Sequence, residues 1–227
     1  MSLILNIDTA SGNASICIAR DGLSVGVVEN GEQKDHASWI HPAIEKLLGN
    51  AGYTIRDINA VAVTSGPGSY TGLRVGMSTA KGLCYALNIP LITENTLRVM
   101  ALAMKQSVKA ELNERILFCP MIDARRMEVF TALFNTTLDE VVPSCALVLH
   151  RDIFAENLSE SRIIFSGNGY KKFQQLINHA NAIFLDVHYS AVHLAILSNT
   201  KFAGHEFDDI AYAEPLYLKE FYTVPKK

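Results

Sequence analysis

Residues 65–76 read SGPGSYTGLRVG and separate an apolar, strand-like run from a stretch of helical character. A strand, glycine loop and helix in this order can bind an anion such as a phosphate, because backbone N–H groups and a helix N-terminus point at it. The stricter nucleotide motifs are missing. No lysine follows the glycines, and Thr71 stands where G-x-G-x-x-G needs its last glycine. Gly66 and Gly68 are therefore candidates for a phosphate contact or for a tight turn.

Small residues continue beyond this loop and favour a packing role. Ser69 is a suitable N-cap for a helix, and Gly72, Gly76 and Ala80 follow at helical spacing. Each glycine inside a helix costs about 0.5–1 kcal/mol relative to alanine, so several of them need a packing reason. We expect this helix to approach a neighbour closely, either within the chain or in a partner.

Aspartates end two apolar, β-prone runs: Asp8, followed by Thr9, in NIDTA, and Asp123 in MIDAR. A carboxylate at such a place can hold a magnesium ion or activate water. It can equally accept hydrogen bonds from the turn that follows. Gly167, in a further glycine turn with the sequence SGNG, could lie against an adenosine. Together with the glycine loop, these residues are the candidates for nucleotide binding.

Histidine and serine patterns argue against other chemistry. No two of the seven histidines stand three or four residues apart, so no helix presents a pair of metal ligands and no metal site is predicted. The sequence SGPGS does not match the G-x-S-x-G turn of serine hydrolases. No catalytic residue is therefore assigned.

The composition predicts a chain with a substantial core and little net charge. Of its 227 residues 49% are apolar, and 20 basic against 23 acidic residues give a formal charge of -3. No overall positive field therefore draws the chain to nucleic acid or to an anionic membrane. The four cysteines form no C-x-x-C pair and indicate buried free thiols in a reducing compartment. With neither a signal peptide nor a run of about 18 apolar residues, a cytoplasmic protein is expected.

The two halves of the chain have the same order of elements. Three strands, a helix, a strand and a helix are predicted near the start of the chain and again in its second half, where the last helix covers 170–180. The predicted subdomains span 1–110 and 111–227, without a low-complexity linker between them. This repetition predicts a duplicated α/β fold with mixed sheets flanked by helices, and with ligands at strand ends between the halves.

Five stretches together resemble one family over essentially the whole chain. They are LILNIDTA, VTSGPGSYTGLRVG, PMIDARRMEVF, SGNG and PLYL, in this order, and they are similar to the motifs of the TsaB family, also called YeaZ. The resemblance implies a duplicated actin-like fold, of the ASKHA and ribonuclease-H-like type. It also implies a non-catalytic subunit of the bacterial machinery that places a threonylcarbamoyl group on the adenosine beside the tRNA anticodon. The residues do not support an older glycoprotease label.

The resemblance implies partners as well. The chain would bind a TsaD-type transferase as a heterodimer, a small TsaE-type ATPase would join them, and tRNA would bind mainly through the complex. Alone, the chain could form a homodimer. It would have no cofactor of its own, although ATP or ADP could bind weakly or at the partner interface. TsaD-type chains carry an H-x-x-x-H metal motif, whereas the corresponding residues 92–103 contain no histidine.

In the family, helices of the first half are expected to form the partner interface, including the helix that begins in the glycine loop. Small residues would allow close approach, and apolar residues would supply the contact. The same side chains could instead face their own sheet. The candidate interface residues are Trp39, Ile40, Leu47, Gly72, Leu73, Gly76 and Ala80.

An alternative function is an ATP-dependent enzyme of the actin-like group, such as a small-molecule kinase or an ATPase. Against it, the halves are short and leave little room for a substrate pocket, and no lysine follows the glycines. Nucleotide turnover by the isolated chain discriminates between the two functions, because a kinase shows it and a scaffold subunit does not.

Overall fold

The computed structural model describes residues 2–31, 36–108 and 115–219. In chain order, the elements of the first half are β1 (Leu3–Asp8), β2 (Ala14–Arg20), β3 (Leu23–Asn30), α1 (His36–Asn50), β4 (Ala60–Gly66), α2 (Tyr70–Leu87), β5 (Leu91–Asn95) and α3 (Thr96–Ser107). Polar caps start two of the helices. The Gly72 N–H donates to the Ser69 hydroxyl at 3.3 Å, which places the start of α2 where the sequence predicts it.

The second half repeats this series in a shorter form. Its elements are β6 (Ile116–Asp123), β7 (Glu128–Phe134), β8 (Glu140–Val148), α4 (Ala155–Glu160), β9 (Arg162–Ser166), α5 (Tyr170–Gln174), β10 (Ala182–Phe184) and α6 (Ala191–Ala203). The predicted helix over 170–180 is too long, because α5 ends at Gln174 and a turn from His179 to Ala182 follows. Strand β10 and helix α6 were not predicted from the sequence.

The two sheets match each other strand for strand. The first has the order β3-β2-β1-β4-β5 and the second the order β8-β7-β6-β9-β10. In both, the central strand pairs antiparallel with the second strand of its half and parallel with the fourth. This arrangement confirms the duplicated actin-like α/β fold with two mixed sheets. It also places the carboxyl ends of β1 and β6, where Asp8 and Asp123 lie, at corresponding points.

Each half ends in a helix that covers the sheet of the other half. Helix α3 packs against β6 and β7, and α6 packs against β1 and β2. Ser198 of α6 donates a hydrogen bond to Asn6 Oδ1 of β1 at 2.6 Å, and both side chains are fully buried. Helices α1 and α2 cover the remaining face of the first sheet, and α4 and α5 that of the second. The halves therefore share a core; the predicted boundary near residue 110 lies outside the described residues.

Residues 207–219, the strap, run from the edge of the first sheet to the second half. Asp208 forms a bridge to Leu91 at the edge of β5, with its N–H donating to the Leu91 carbonyl at 2.9 Å. Farther along, the Leu216 N–H donates to the Ser65 carbonyl at 2.7 Å, which places the strap over the glycine loop. At its end, Lys219 forms an ion pair with a glutamate of β7. The strap thus connects both halves across the loop.

The cysteines are free thiols, as the sequence predicts, and three of the four are buried. Burial raises the pKa of Cys84 to about 11 and the pKa of Cys119 to about 12, so both remain protonated at neutral pH. Separately, the described parts of the chain contain no helix with the length and apolar character needed to cross a membrane.

Candidate functional site

The glycines of the loop and of α2 allow both to lie directly on the turn after β1. A Cβ on Gly68 would stand 2.2 Å from the Ala10 carbonyl oxygen, and one on Gly72 would stand 2.0 Å from the Thr9 carbonyl oxygen. The Thr9 hydroxyl donates to the Gly72 carbonyl at 2.7 Å, and a Cβ on Gly76 would stand 2.3 Å from that hydroxyl oxygen. No side chain fits at these places, so close packing within the chain accounts for these glycines.

Gly66 has a different neighbour, the strap. Its φ is 121°, a backbone conformation that favours glycine, and its bond to Pro67 is cis. A Cβ there would stand 2.7 Å from the Leu216 carbonyl oxygen. The backbone of the glycine loop is thus covered by the chain's own strap.

Asp8 is buried beneath this turn, with 1% of its surface exposed. Its Oδ1 accepts hydrogen bonds from the Thr64 hydroxyl at 2.8 Å and from the Ala10 N–H at 3.0 Å. Its Oδ2 has no hydrogen-bond partner among the described residues. Burial raises the pKa of Asp8, and the two hydrogen bonds offset that rise only in part. Asp8 therefore holds the turn after β1 and does not face solvent.

Asp123, at the corresponding end of β6, is exposed and paired. The Lys172 ammonium lies 2.5 Å from Asp123 Oδ1, and the Arg125 N–H donates to the same oxygen at 2.6 Å. The Asp123 N–H donates to Asn168 Oδ1 of the SGNG turn at 2.7 Å. Partial desolvation raises the pKa of Asp123, but the Lys172 and Arg125 contacts outweigh it and hold the pKa below its ordinary value. This carboxylate is charged at neutral pH and engaged by a lysine.

Gly167 shows the same close approach in the second half. Its φ is 97°, and a Cβ there would stand 2.4 Å from the Met121 carbonyl oxygen and 2.6 Å from Met100 Cε. The SGNG turn therefore packs directly on β6 and on helix α3 of the first half.

A cleft between the halves contains two adjoining hollows. The larger, about 580 Å³, is lined by Gly167 and by residues of the turn after β1, such as Ser11. The smaller, about 380 Å³, is lined by Gly68 and Asp123. The structure thus brings Gly68, Asp123 and Gly167 to the cleft. The other three candidates for nucleotide binding, Asp8, Thr9 and Gly66, do not line either hollow.

The residues around these aspartates do not fit a magnesium ion. Magnesium needs near-octahedral oxygen ligands, usually carboxylates and water. Within the described residues, no three His, Cys, Asp or Glu side chains come close enough together to hold a metal ion. Asp8 is held by its own turn, and Asp123 already pairs with an ammonium group.

The structure places the predicted interface residues within this chain, on the sides of α1 and α2 that face the first sheet. Six of the seven are buried inside this chain: Ile40, Leu47, Gly72, Leu73, Gly76 and Ala80. The seventh, Trp39, is half-buried and packs against the apolar core of the first half. Their helical spacing identified the apolar sides of α1 and α2 correctly. Those sides pack against the first sheet, because an amphipathic helix buries its apolar side on the nearest sheet before any partner arrives. The small residues therefore do not lie on the outer surface of the helices.

The outer sides of α1 and α2 carry the surface features that sequence reasoning missed. An apolar groove of about 500 Å³ runs between the two helices; its lining includes Ile44, Leu48 and Leu83. Elsewhere on α2, Tyr85 is 83% exposed, and a Cβ on Gly82 would meet no described heavy atom within 4 Å. The signal was present in the spacing, since Gly82 and Tyr85 lie on the opposite side of α2 from Gly76 and Ala80.

Comparison with known proteins agrees with the topology. The family model described as "TsaD: tRNA N6-adenosine threonylcarbamoyltransferase" matches residues 16–220. The Bacillus subtilis "tRNA threonylcarbamoyladenosine biosynthesis protein TsaB" is 28% identical over 95% of this chain and 93% of its own length. The protein of that name from Escherichia coli is 28% identical over 95% and 94%. The chain belongs to the family that this model describes, and it is similar to TsaB proteins over almost their whole length.

Other matches are consistent with this membership. A "tRNA N6-adenosine threonylcarbamoyltransferase" from Geotalea uraniireducens is 31% identical, but over only 47% of this chain and 36% of its own length. The solved structure of YeaZ from Pseudomonas aeruginosa shares the fold, with a TM-score of 0.79 at 22% identity, over 96% of this chain and all of that one. The TsaB resemblance predicted from five motifs is confirmed.

Proposed function

We propose that this chain is a non-catalytic partner subunit in bacterial tRNA threonylcarbamoyladenosine biosynthesis and that it binds a TsaD-type transferase. In this proposal the transferase supplies the catalytic residues and the metal, a TsaE-type ATPase joins the pair, and tRNA binds mainly through the complex. The chain needs no cofactor of its own. The family membership supports the assignment to this pathway. The burial of Asp8 and the pairing of Asp123 with a lysine support the non-catalytic role.

The two carboxylates support this role because each is engaged within the chain: Asp8 is buried and hydrogen-bonded, and Asp123, although exposed at the smaller hollow, is paired with a lysine. A general base must stand within hydrogen-bond distance of the proton that it removes. Asp8 is buried, and its accepting oxygen is taken up by Thr64 and Ala10. The accepting oxygen of Asp123 is held by Lys172. Both aspartates therefore serve the structure of the turns that follow them.

The outer sides of α1 and α2 are the docking surface in this proposal. Exposed aromatic residues and apolar grooves are both typical of protein interfaces. Tyr85 is 83% exposed on α2, an apolar groove lies between α1 and α2, and the absence of a side chain at Gly82 would let a partner helix approach α2 closely. The proposed interface thus stays on helices α1 and α2, as the family resemblance implies. Its residues are those on the exposed sides of these helices and not those on the buried sides.

The test is sedimentation of the chain with a TsaD-type transferase from the same organism. The wild type should form a one-to-one complex, and Tyr85→Arg should weaken it about tenfold or more, as loss of a central aromatic residue does. Val148→Arg is the matched control, because Val148 is 58% exposed on β8 of the second half. The control should bind like the wild type.

Three outcomes would contradict the proposal. Absence of any complex with the wild type would remove the partner role, and ATP hydrolysis by the chain alone would favour the actin-like enzyme instead. Equal weakening by Tyr85→Arg and Val148→Arg would show that the docking surface lies elsewhere. Sedimentation of the chain alone, in the same experiment, reports whether it forms a homodimer.

A further inference from the structure

The turn between β6 and β7 is folded around the ammonium group of Lys172. The Lys172 Nζ lies 2.5 Å from Asp123 Oδ1, 2.6 Å from the Arg126 carbonyl oxygen and 3.4 Å from the Glu128 carbonyl oxygen. An ammonium group has three N–H donors, and here each has one oxygen acceptor. One carboxylate and two backbone carbonyls thus form an oxygen cage for a single cation.

The backbone of this turn has an unusual conformation that the cage explains. Arg125 has a φ of 68° and Arg126 a φ of 48°, so two consecutive residues with side chains lie in the left-handed region. This conformation is disfavoured for residues other than glycine and persists only where neighbouring contacts hold it. The Arg125 N–H bond to Asp123 and the Lys172 bond to the Arg126 carbonyl are two such contacts. Both arginine side chains are left exposed.

Carboxylate and carbonyl oxygens are also the ligands that divalent cations such as Mg²⁺ and Ca²⁺ take in proteins. Here they surround a cation that belongs to the chain and is tethered to α5. The first half offers no counterpart, since within the described residues the only hydrogen-bond donors to the Asp8 carboxylate are Thr64 and Ala10. The arrangement is therefore particular to the second half and does not follow from the shared topology.

We propose that Lys172 is a built-in cation: its ammonium group occupies the oxygen cage at Asp123 in place of a divalent ion and holds the Arg125–Arg126 turn at the mouth of the cleft. Arg125 lines the smaller hollow, so the cage holds the backbone that carries an arginine side chain at this hollow. This inference is independent of the proposed function, because it concerns the cation at the turn and not the identity of the partner.

The test uses trypsin, which cleaves after arginine only where the backbone can open. The full-length wild type should be cleaved slowly after Arg125 and Arg126, and Lys172→Ala about tenfold faster or more. Lys171→Ala is the matched control, because Lys171 is the exposed neighbouring lysine. Lys172→Met keeps the apolar stem of the side chain and loses only the ammonium group, so it should be cleaved as fast as Lys172→Ala. This second variant tests the proposal if the alanine variant does not fold.

Rescue distinguishes a cation site from a merely structural lysine. Methylammonium chloride or magnesium chloride should slow the cleavage of Lys172→Ala back towards the wild-type rate, with sodium chloride at equal ionic strength as the reference. Adding Asp123→Asn to that variant should abolish the rescue, because the carboxylate is lost from the cage. Equal cleavage of the Lys171 and Lys172 variants would overturn the proposal. So would the failure of both cations to rescue, or a rescue that persists without Asp123.

Discussion

Asp8 and Asp123 end corresponding strands of two sheets with the same topology, yet the two halves surround them differently. Asp8 is buried, with a raised pKa and one oxygen that has no described partner. Asp123 is exposed, with a lowered pKa and a lysine at 2.5 Å. The topology fixes where each carboxylate lies, whereas the residues of the next turn and helix fix its charge. Duplication of a fold therefore does not duplicate its chemistry.

The largest expected effect concerns the contact between α2 and the turn after β1, where the close approach is made by glycines inside the helix. Gly72→Ala should reduce the free energy of unfolding by about 3 kcal/mol, because its Cβ would overlap the Thr9 carbonyl oxygen at 2.0 Å. Urea unfolding of the wild type and the variant measures this change in the free energy of unfolding. Gly82→Ala, in the same helix but facing open space, is the control and should gain about 0.5–1 kcal/mol. Similar values for both variants would mean that α2 does not pack as closely as described.

A second, smaller effect is the pH dependence of stability, which should have opposite signs for the two aspartates. The pKa of Asp8 is raised above its ordinary value of 3.8, so its protonated form is favoured in the folded state and stability is lost as pH rises through the folded pKa. Asp8→Asn removes this loss of stability, because an asparagine amide does not ionise. Relative to the wild type, the variant should therefore gain stability as pH increases from about 3.8, with a change on the order of 1–3 kcal/mol for a buried polar group without a full set of partners. Urea unfolding at several pH values checks the sign, and a flat difference would contradict it.

The smallest effect is expected at Asp123, and its sign is opposite. The pKa of Asp123 is lowered from 3.8, so its contribution is present above that pH and is lost as pH falls through the folded pKa. Asp123→Asn should reduce stability by about 0.2–1 kcal/mol at neutral pH, because the pair with Lys172 is partly exposed and therefore screened by solvent. The wild type and the variant should become equally stable in acid, and high salt should shrink the difference. If the difference in stability between the wild type and Asp123→Asn grew in acid, the contrast between Asp8 and Asp123 would be contradicted.

The sequence predicted the architecture well because the repeat and the strand-end aspartates are local patterns. Tyr70–Leu87 is helical as expected, because Ser69 provides its cap and apolar residues follow at helical spacing. The sequence did not reveal what the apolar side of α2 covers, since spacing identifies a side of a helix but not its neighbour. Lys172 was missed because its partners are 46 and 49 residues away in sequence. Only the fold brings that lysine to the turn after β6.

The strap and helix α6 are made after the ten strands that the structure describes, yet both complete the first half. Until they have been synthesised, one face of the β1 and β2 strands lacks its helix, and the glycine loop lacks the Leu216 backbone that covers it. The N-terminal half therefore cannot reach its final packing while it is the only part outside the ribosome, in contrast to proteins whose domains fold one after another during synthesis. A stop codon or a protease cut between residues 190 and 216 would accordingly damage the half of the molecule that was made first.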